Sequence, residues 1–230
     1  MMKVQEKPVT IEKEDSFKVI LSKYGALGLD KQENLADAIG DNIGELDLEK
    51  GIIHFGDLHF PVQILGFYSK DYDRWSWAWD NQDIFGDALI KASMQIKAIG
   101  DEFDITEFKS PVIQANYDAC HILSMVATAI LNKDAYYAVA EDGIDIFVAI
   151  EPDSIEEDNS VQRFRNTFAL FHKNYNVHAK IAFESYTKLK GYGFKPHDDF
   201  AVAKIGESRI ITGFTERGNV THIQMLLEDE

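Results

Sequence analysis

One cysteine, Cys120, stands in a chain of 230 residues. No internal disulfide can form, which suits a reducing cytosol better than secretion, so a cytoplasmic protein is expected. Apolar runs of about 18 residues are also missing, which argues against a membrane-spanning helix, and no membrane partner is expected. The opening MMKVQEKPVTIEKEDS alternates charges with single apolar residues and lacks the apolar stretch of a secretory signal. Cations are scarce: 23 Lys and Arg face 39 Asp and Glu, a formal net charge of -16. Binding a phosphate backbone takes clustered Lys and Arg, and here they are scattered singly, so no nucleic-acid partner is expected.

Motifs of catalysis are missing too. No G-x-S-x-G, Walker A, H-E-x-x-H or paired-cysteine zinc pattern occurs, and GYGF at Gly191 to Phe194 follows a helical stretch and lacks the third glycine of a dinucleotide site. No cofactor, metal or catalytic residue is implied. An enzyme is neither supported nor excluded on this ground.

What is present is an ordinary globular composition, 45% hydrophobic and 27% charged. Its most conspicuous stretch is RWSWAWDN, which places all 3 tryptophans, Trp75, Trp77 and Trp79, at alternate positions. Alternation puts them on one face of a strand. The preceding strand carries Leu58, Phe60, Val62, Ile64, Gly66 and Tyr68, and a four-residue loop from Lys70 to Asp73 sets Tyr68 opposite Trp75, Gly66 opposite Trp77 and Ile64 opposite Trp79. Gly66 leaves room for the Trp77 indole. A helix capped by Asp83, with a stripe of Phe85, Leu89, Ala92, Ile96 and Ile99 and a stop at Gly100, is expected to cover that face.

Elsewhere, Ser16 caps a helix carrying Phe17, Ile20, Leu21 and Tyr24, and Asp30 with Glu33 forms a capping box for a second, short helix with Leu35 and Ile39. HFGDLH reads as a hairpin turning at Gly56-Asp57, which pairs Phe55 with Leu58 and His54 with His59. A helix runs from Asn116 to Leu131. YYAVAEDGIDIFVAI is a hairpin with Asp142-Gly143 as a type I′ turn. Two further helices, with a stripe of Val161, Phe164, Phe168 and Phe171 and then from Val177 to Lys190, precede a meander of strands at 200–205, 210–215 and 220–227. Helices and antiparallel hairpins in blocks indicate an α+β fold rather than a parallel sheet. The chain is expected to form a single α+β domain over 1–230, with a sub-boundary near 151–159.

Three places carry candidate chemistry. Trp75, Trp77, Trp79, Tyr68 and Asn81 form either a packing floor or the lining of a small-molecule cleft, where indoles supply apolar contact and Asn81 orientation. His54 and His59 are cross-strand neighbours, but two ligands fall short of a stable zinc site, so no metal is expected. His197, Asp198 and Asp199 lie too far along the chain for sequence to join them to that pair. Cys120 and His121 are adjacent on a helix and point about 100° apart, so they do not form a nucleophile and base. The acidic run of Glu151, Asp153, Glu156, Glu157 and Asp158 around Pro152 is expected to be an extended, mobile, solvated loop; its functional reading is a docking surface for a basic protein.

The W-x-W-x-W-x-N run, the amphipathic helix after it and the apolar helix leading to YYAVAEDG together resemble an uncharacterised bacterial family, domain of unknown function 6882, over roughly residues 15–150. The resemblance implies a bacterial origin and a mixed fold and carries no activity. Acidity and the missing catalytic motifs favour a non-enzymatic module that binds a basic protein, in the manner of a toxin-neutralising immunity protein. The alternative is a small-molecule-binding protein or enzyme with its cleft beside the tryptophan strand.

Overall fold

A computed structural model describes residues 8–227. Its contacts divide into two compact units, one of residues 28–158 and one of the chain up to Leu27 together with the chain from Asn159 onward. Helices and antiparallel strands make up both, so the fold is α+β.

The first helix, α1 (Phe17–Ile39), is continuous over 23 residues. The expected break at Asp30 does not occur: Asp30 is fully buried within the helix. The glycines before it mark close approaches rather than a stop. A Cβ on Gly25 would press into the Phe171 ring, and one on Gly28 would collide with the Met125 carbonyl.

Within residues 28–158, seven antiparallel strands form one sheet. β1 (Glu45–Asp47), β2 (Ile52–Phe55), β3 (Leu58–Ser69) and β4 (Arg74–Trp77) come first, followed by a 3-10 turn at Ala78–Asn81 and three helices, α2 (Gln82–Phe85), α3 (Lys91–Phe103) and α4 (Thr106–Lys109). Next are β5 (Val112–Gln114), α5 (Tyr117–Ile130), β6 (Ala135–Ala140) and β7 (Ile144–Ile150). Long β3 organises the sheet, pairing with β2 at its start and with both β4 and β7 at its end. The Gly56-Asp57 turn and the 70–73 loop occur as expected, with His54 opposite His59 and Tyr68 opposite Trp75. At the Asp142-Gly143 turn Gly143 has φ +75° while Asp142 stays outside the left-handed region, so the turn is not type I′.

Both faces of this sheet are covered. One buries Ile53, Phe55, Phe60, Val62, Ile64, Val148 and Ile150 together with Leu35 and Ile39 of α1. The other carries Tyr68, Trp75, Trp77 and Phe147, met by Phe108 of α4 and Tyr117 and His121 of α5. The β6 edge is closed by Gln32, whose amide donates to the Tyr136 carbonyl at 2.9 Å and accepts from the Tyr136 N–H at 2.8 Å. A side chain thereby stands in for a neighbouring strand.

The tryptophan strand differs from expectation in three ways. β4 ends at Trp77, so Trp79 lies on the 3-10 turn and does not pair with Ile64. Gly66 makes room for the indole of Trp75, not Trp77: a Cβ there would meet the Trp75 ring and the Ser76 carbonyl. The segment at 82–103 splits into α2 and α3, Gly100 lies inside α3 against Phe108, and it is Phe108 of α4 that packs on the Trp77 indole, while α3 meets Trp79 through Ser93 and Lys97.

The other unit joins residues 8–27 to α6 (Val161–Asn174), α7 (Ala179–Leu189) and a four-stranded meander, β8 (Gly193–Pro196), β9 (Phe200–Ile205), β10 (Ser208–Phe214) and β11 (Val220–Leu226). Ser160 caps α6, its hydroxyl accepting from the Arg163 N–H at 3.1 Å. The stripe of Phe164, Phe168 and Phe171 is buried, with Phe164 stacked on Tyr186 of α7 at 4.4 Å. On the sheet, Ala201, Ala203, Ile210 and Phe214 face these helices, and Phe183 meets both Phe194 and Phe214. Strand β8 begins inside GYGF, where sequence indicated only a helix stop.

Candidate functional site

The aromatic cluster beneath α5 gathers most of the reactive side-chain types in residues 28–158. Trp75 and Trp77 are 0% exposed, edge to face at 5.1 Å, and the Trp77 Nε1–H donates to the Glu107 carbonyl at 2.9 Å. Tyr68, also buried, donates to the Asp73 carboxylate at 2.6 Å, and that bond first, then burial, pushes its phenol up to about 12. Burial pushes the Cys120 thiol up to about 12 as well and raises the Tyr117 phenol. Burial lowers His121, whose Nδ1 sits 2.9 Å from the Tyr136 hydroxyl. At neutral pH the thiol and phenols keep their protons and the imidazole is neutral, so none is poised as a nucleophile or general acid.

Of the five residues expected to line a cleft, Tyr68, Trp75 and Trp77 are thus core, and an indole without exposed surface offers no face to a ligand. Trp79 and Asn81 are half-buried on the 3-10 turn, with the Lys97 ammonium 5.2 Å from the Trp79 ring. The set does not converge on one opening. His54 and His59 lie across the hairpin with ring centroids 6.3 Å apart, and among the described residues no three or more His, Cys, Asp or Glu gather as a metal site needs.

The acidic loop follows β7 and is tied down, contrary to the expected mobility. The Asp134 carboxylate accepts from the Ser154 and Ile155 N–H groups at 2.6 and 2.9 Å, and the Asn34 side-chain carbonyl accepts from the Asp158 N–H at 3.2 Å. Glu151 pairs with Lys133, and Glu157 lies 3.9 Å from Lys31. Three backbone N–H groups held by side chains outweigh the repulsion among five carboxylates, most of which point to water where repulsion is screened. Asp153 and Glu156 are exposed on this fixed frame.

Charge is divided unevenly. Residues 28–158 hold 27 Asp and Glu against 8 Lys and Arg, a formal -19, while the rest of the chain carries 12 against 15, a formal +3. Whole-chain composition hides this. Counting by segment would have exposed it, and with it the cations on the outer face of the β8–β11 sheet.

Among the described residues no helix is long and apolar enough to cross a membrane. No curated protein and no solved structure matches the chain. A family model does match residues 19–153, from α1 through the sheet to the start of the acidic loop, including the tryptophan strand and the Asp142-Gly143 hairpin. The chain therefore belongs to the family of unknown function DUF6882.

Proposed function

We propose that the acidic unit, residues 28–158, is a non-enzymatic module that binds a basic protein, in the manner of an immunity protein that neutralises a cationic toxin. The observation that carries this reading is the imbalance of 27 carboxylates against 8 cations within one compact unit. A surface so biased attracts cationic partners and speeds their encounter at low salt. The anchored loop at 151–158 adds carboxylates in a fixed arrangement, so less conformational freedom is lost on binding than a mobile loop would lose. The same proposal places the protein in the bacterial cytosol, where a lone buried thiol stays reduced.

The test is capture on the immobilised full chain at low salt, followed by kinetics with any purified partner. The reading expects a protein of basic pI whose association slows with added salt and slows further when Glu156, Glu157 and Asp158 are replaced by Ser. Recovery of no basic protein at low salt, or association indifferent to salt, would overturn it.

A further inference from the structure

The outer face of the β8–β11 sheet lies outside the family match, and among the described residues no element of its own unit covers it. It holds a depression of about 490 Å³. Register shows how it is built. On the outer face Lys204 of β9 stands directly opposite Arg209 of β10, and Arg209 opposite Leu226 of β11. One row along, Lys195, Val202 and Ile211 stand side by side across β8, β9 and β10. The aliphatic side chains form the floor and the cations form the rim, and none of the lining residues is acidic.

Two features indicate that the face awaits a partner. Like charges directly opposite on neighbouring strands destabilise a sheet, and a carboxylate bound between Lys204 and Arg209 would remove that repulsion. The sole ion pair at the rim among the described residues is a local one, Lys204 with Glu207 at 3.1 Å, both largely exposed. Lys195 and Arg209 are exposed, and 15 cations against 12 acids in this unit contrast with the rest of the chain.

We infer that this face docks an amphipathic, acidic helix of another protein, with apolar side chains over Val202 and Ile211 and carboxylates toward Lys195, Lys204 and Arg209. Helix on sheet is the packing that α6 and α7 already make against the opposite face. Charge complementarity selects the occupant. A single-stranded nucleic acid is disfavoured because the aromatics of the depression are already engaged: Phe194 packs on Phe183 with Lys188 over its ring, and His197 stacks on Phe200 at 4.1 Å. The inference is independent of the reading of the acidic unit, since it concerns other residues and a partner of opposite charge.

The experiment is fluorescence anisotropy of the full chain with a labelled peptide carrying Leu at helical i, i+3, i+4, i+7 spacing and Glu elsewhere. Binding is expected at low salt and should weaken as salt rises. Lys195→Glu together with Arg209→Glu should weaken it by about tenfold, the loss of two exposed charge contacts and their replacement by repulsion. Lys173→Glu, on the exposed side of α6, should leave it unchanged, and circular dichroism should show all variants folded. A peptide with Gly in place of Leu should bind more weakly. No binding by the wild-type chain, equal loss in Lys173→Glu, or equal binding of the Gly peptide overturns the inference. So does an oligothymidine bound as tightly as the Leu peptide and released by the same variants. Self-association abolished by Arg209→Glu would assign the face to a second copy and overturn it as well.

Discussion

Replacing Trp77 with alanine tests the packing of the family sheet at its most constrained point. The indole has no exposed surface, lies edge to face with Trp75 at 5.1 Å and with Phe108 at 6.1 Å, and donates to the Glu107 carbonyl at 2.9 Å. Truncating such an aromatic costs about 3 to 5 kcal/mol. The Glu107 carbonyl, left without its donor, pushes the value toward the upper end, because a stranded buried acceptor costs about 1 to 3 kcal/mol. Against a total stability of about 5 to 15 kcal/mol, that loss can leave little folded protein. Trp77→Phe keeps a ring between Trp75 and Phe108 and removes mainly the N–H, so it should cost about 1 to 3 kcal/mol and remain foldable. Urea titration followed by far-ultraviolet circular dichroism measures both. The midpoint should fall while the slope, which reports surface exposed on unfolding, stays at the wild-type value. Thermal midpoints should drop by about 2 to 4 °C for each kcal/mol lost. An alanine variant within about 0.5 kcal/mol of wild type would behave as a surface substitution and refute the argument.

Acid should destabilise the fold through His121 and His172, which burial holds below the ordinary imidazole range. Their contribution is present above about pH 6.5 and lost as pH falls through their folded-state values, so replacing both with Gln should flatten the loss of stability between neutral and mildly acid pH; an unchanged slope would point to other groups. Cys120, with its thiol pushed up to about 12, should resist a thiol-specific chromogenic reagent in the native protein and react on unfolding, and rapid native labelling would contradict its burial. The Glu156→Ser variant should unfold within about 0.5 kcal/mol of wild type, since Glu156 is exposed and the loop is fixed by backbone N–H donation to Asp134 and Asn34. By the same token Asp134→Ala should cost about 1 to 3 kcal/mol by stranding the Ser154 and Ile155 N–H groups, and a neutral result would mean that the loop is held by something else.

The parts of the fold legible in the sequence were those where local chemistry decides. Gly56-Asp57 fixed the first hairpin, Ser16 capped α1, and the alternation around Gly66 set the register of β3 against β4. What escaped was decided by contacts distant in sequence. Asp30 looks like a helix cap when only its neighbours are considered, yet it lies buried inside α1, and the notches at Gly25 and Gly28 have meaning only once Phe171 and Met125 lie against them. Strand β5, three residues long, has no pattern of its own; it exists because the edge of β4 offers Arg74, Trp75 and Ser76 for pairing. The acidic loop was misread for the same reason: its own residues repel, and what orders it comes from Asn34 and Asp134, more than a hundred and about twenty residues away.

Charge makes the same point for the candidate surfaces. A net charge of -16 describes how the whole chain behaves at distances well beyond the screening length, about 8 to 10 Å in ordinary buffers. A partner in contact experiences only the charges within that length. Lys195, Lys204 and Arg209 gather at one depression although the chain is strongly acidic, and 151–158 holds five carboxylates. Whole-chain acidity therefore carries no weight in judging what the outer face of the β8–β11 sheet can bind. Partner class has to be argued surface by surface, and the two proposed surfaces would take partners of opposite sign.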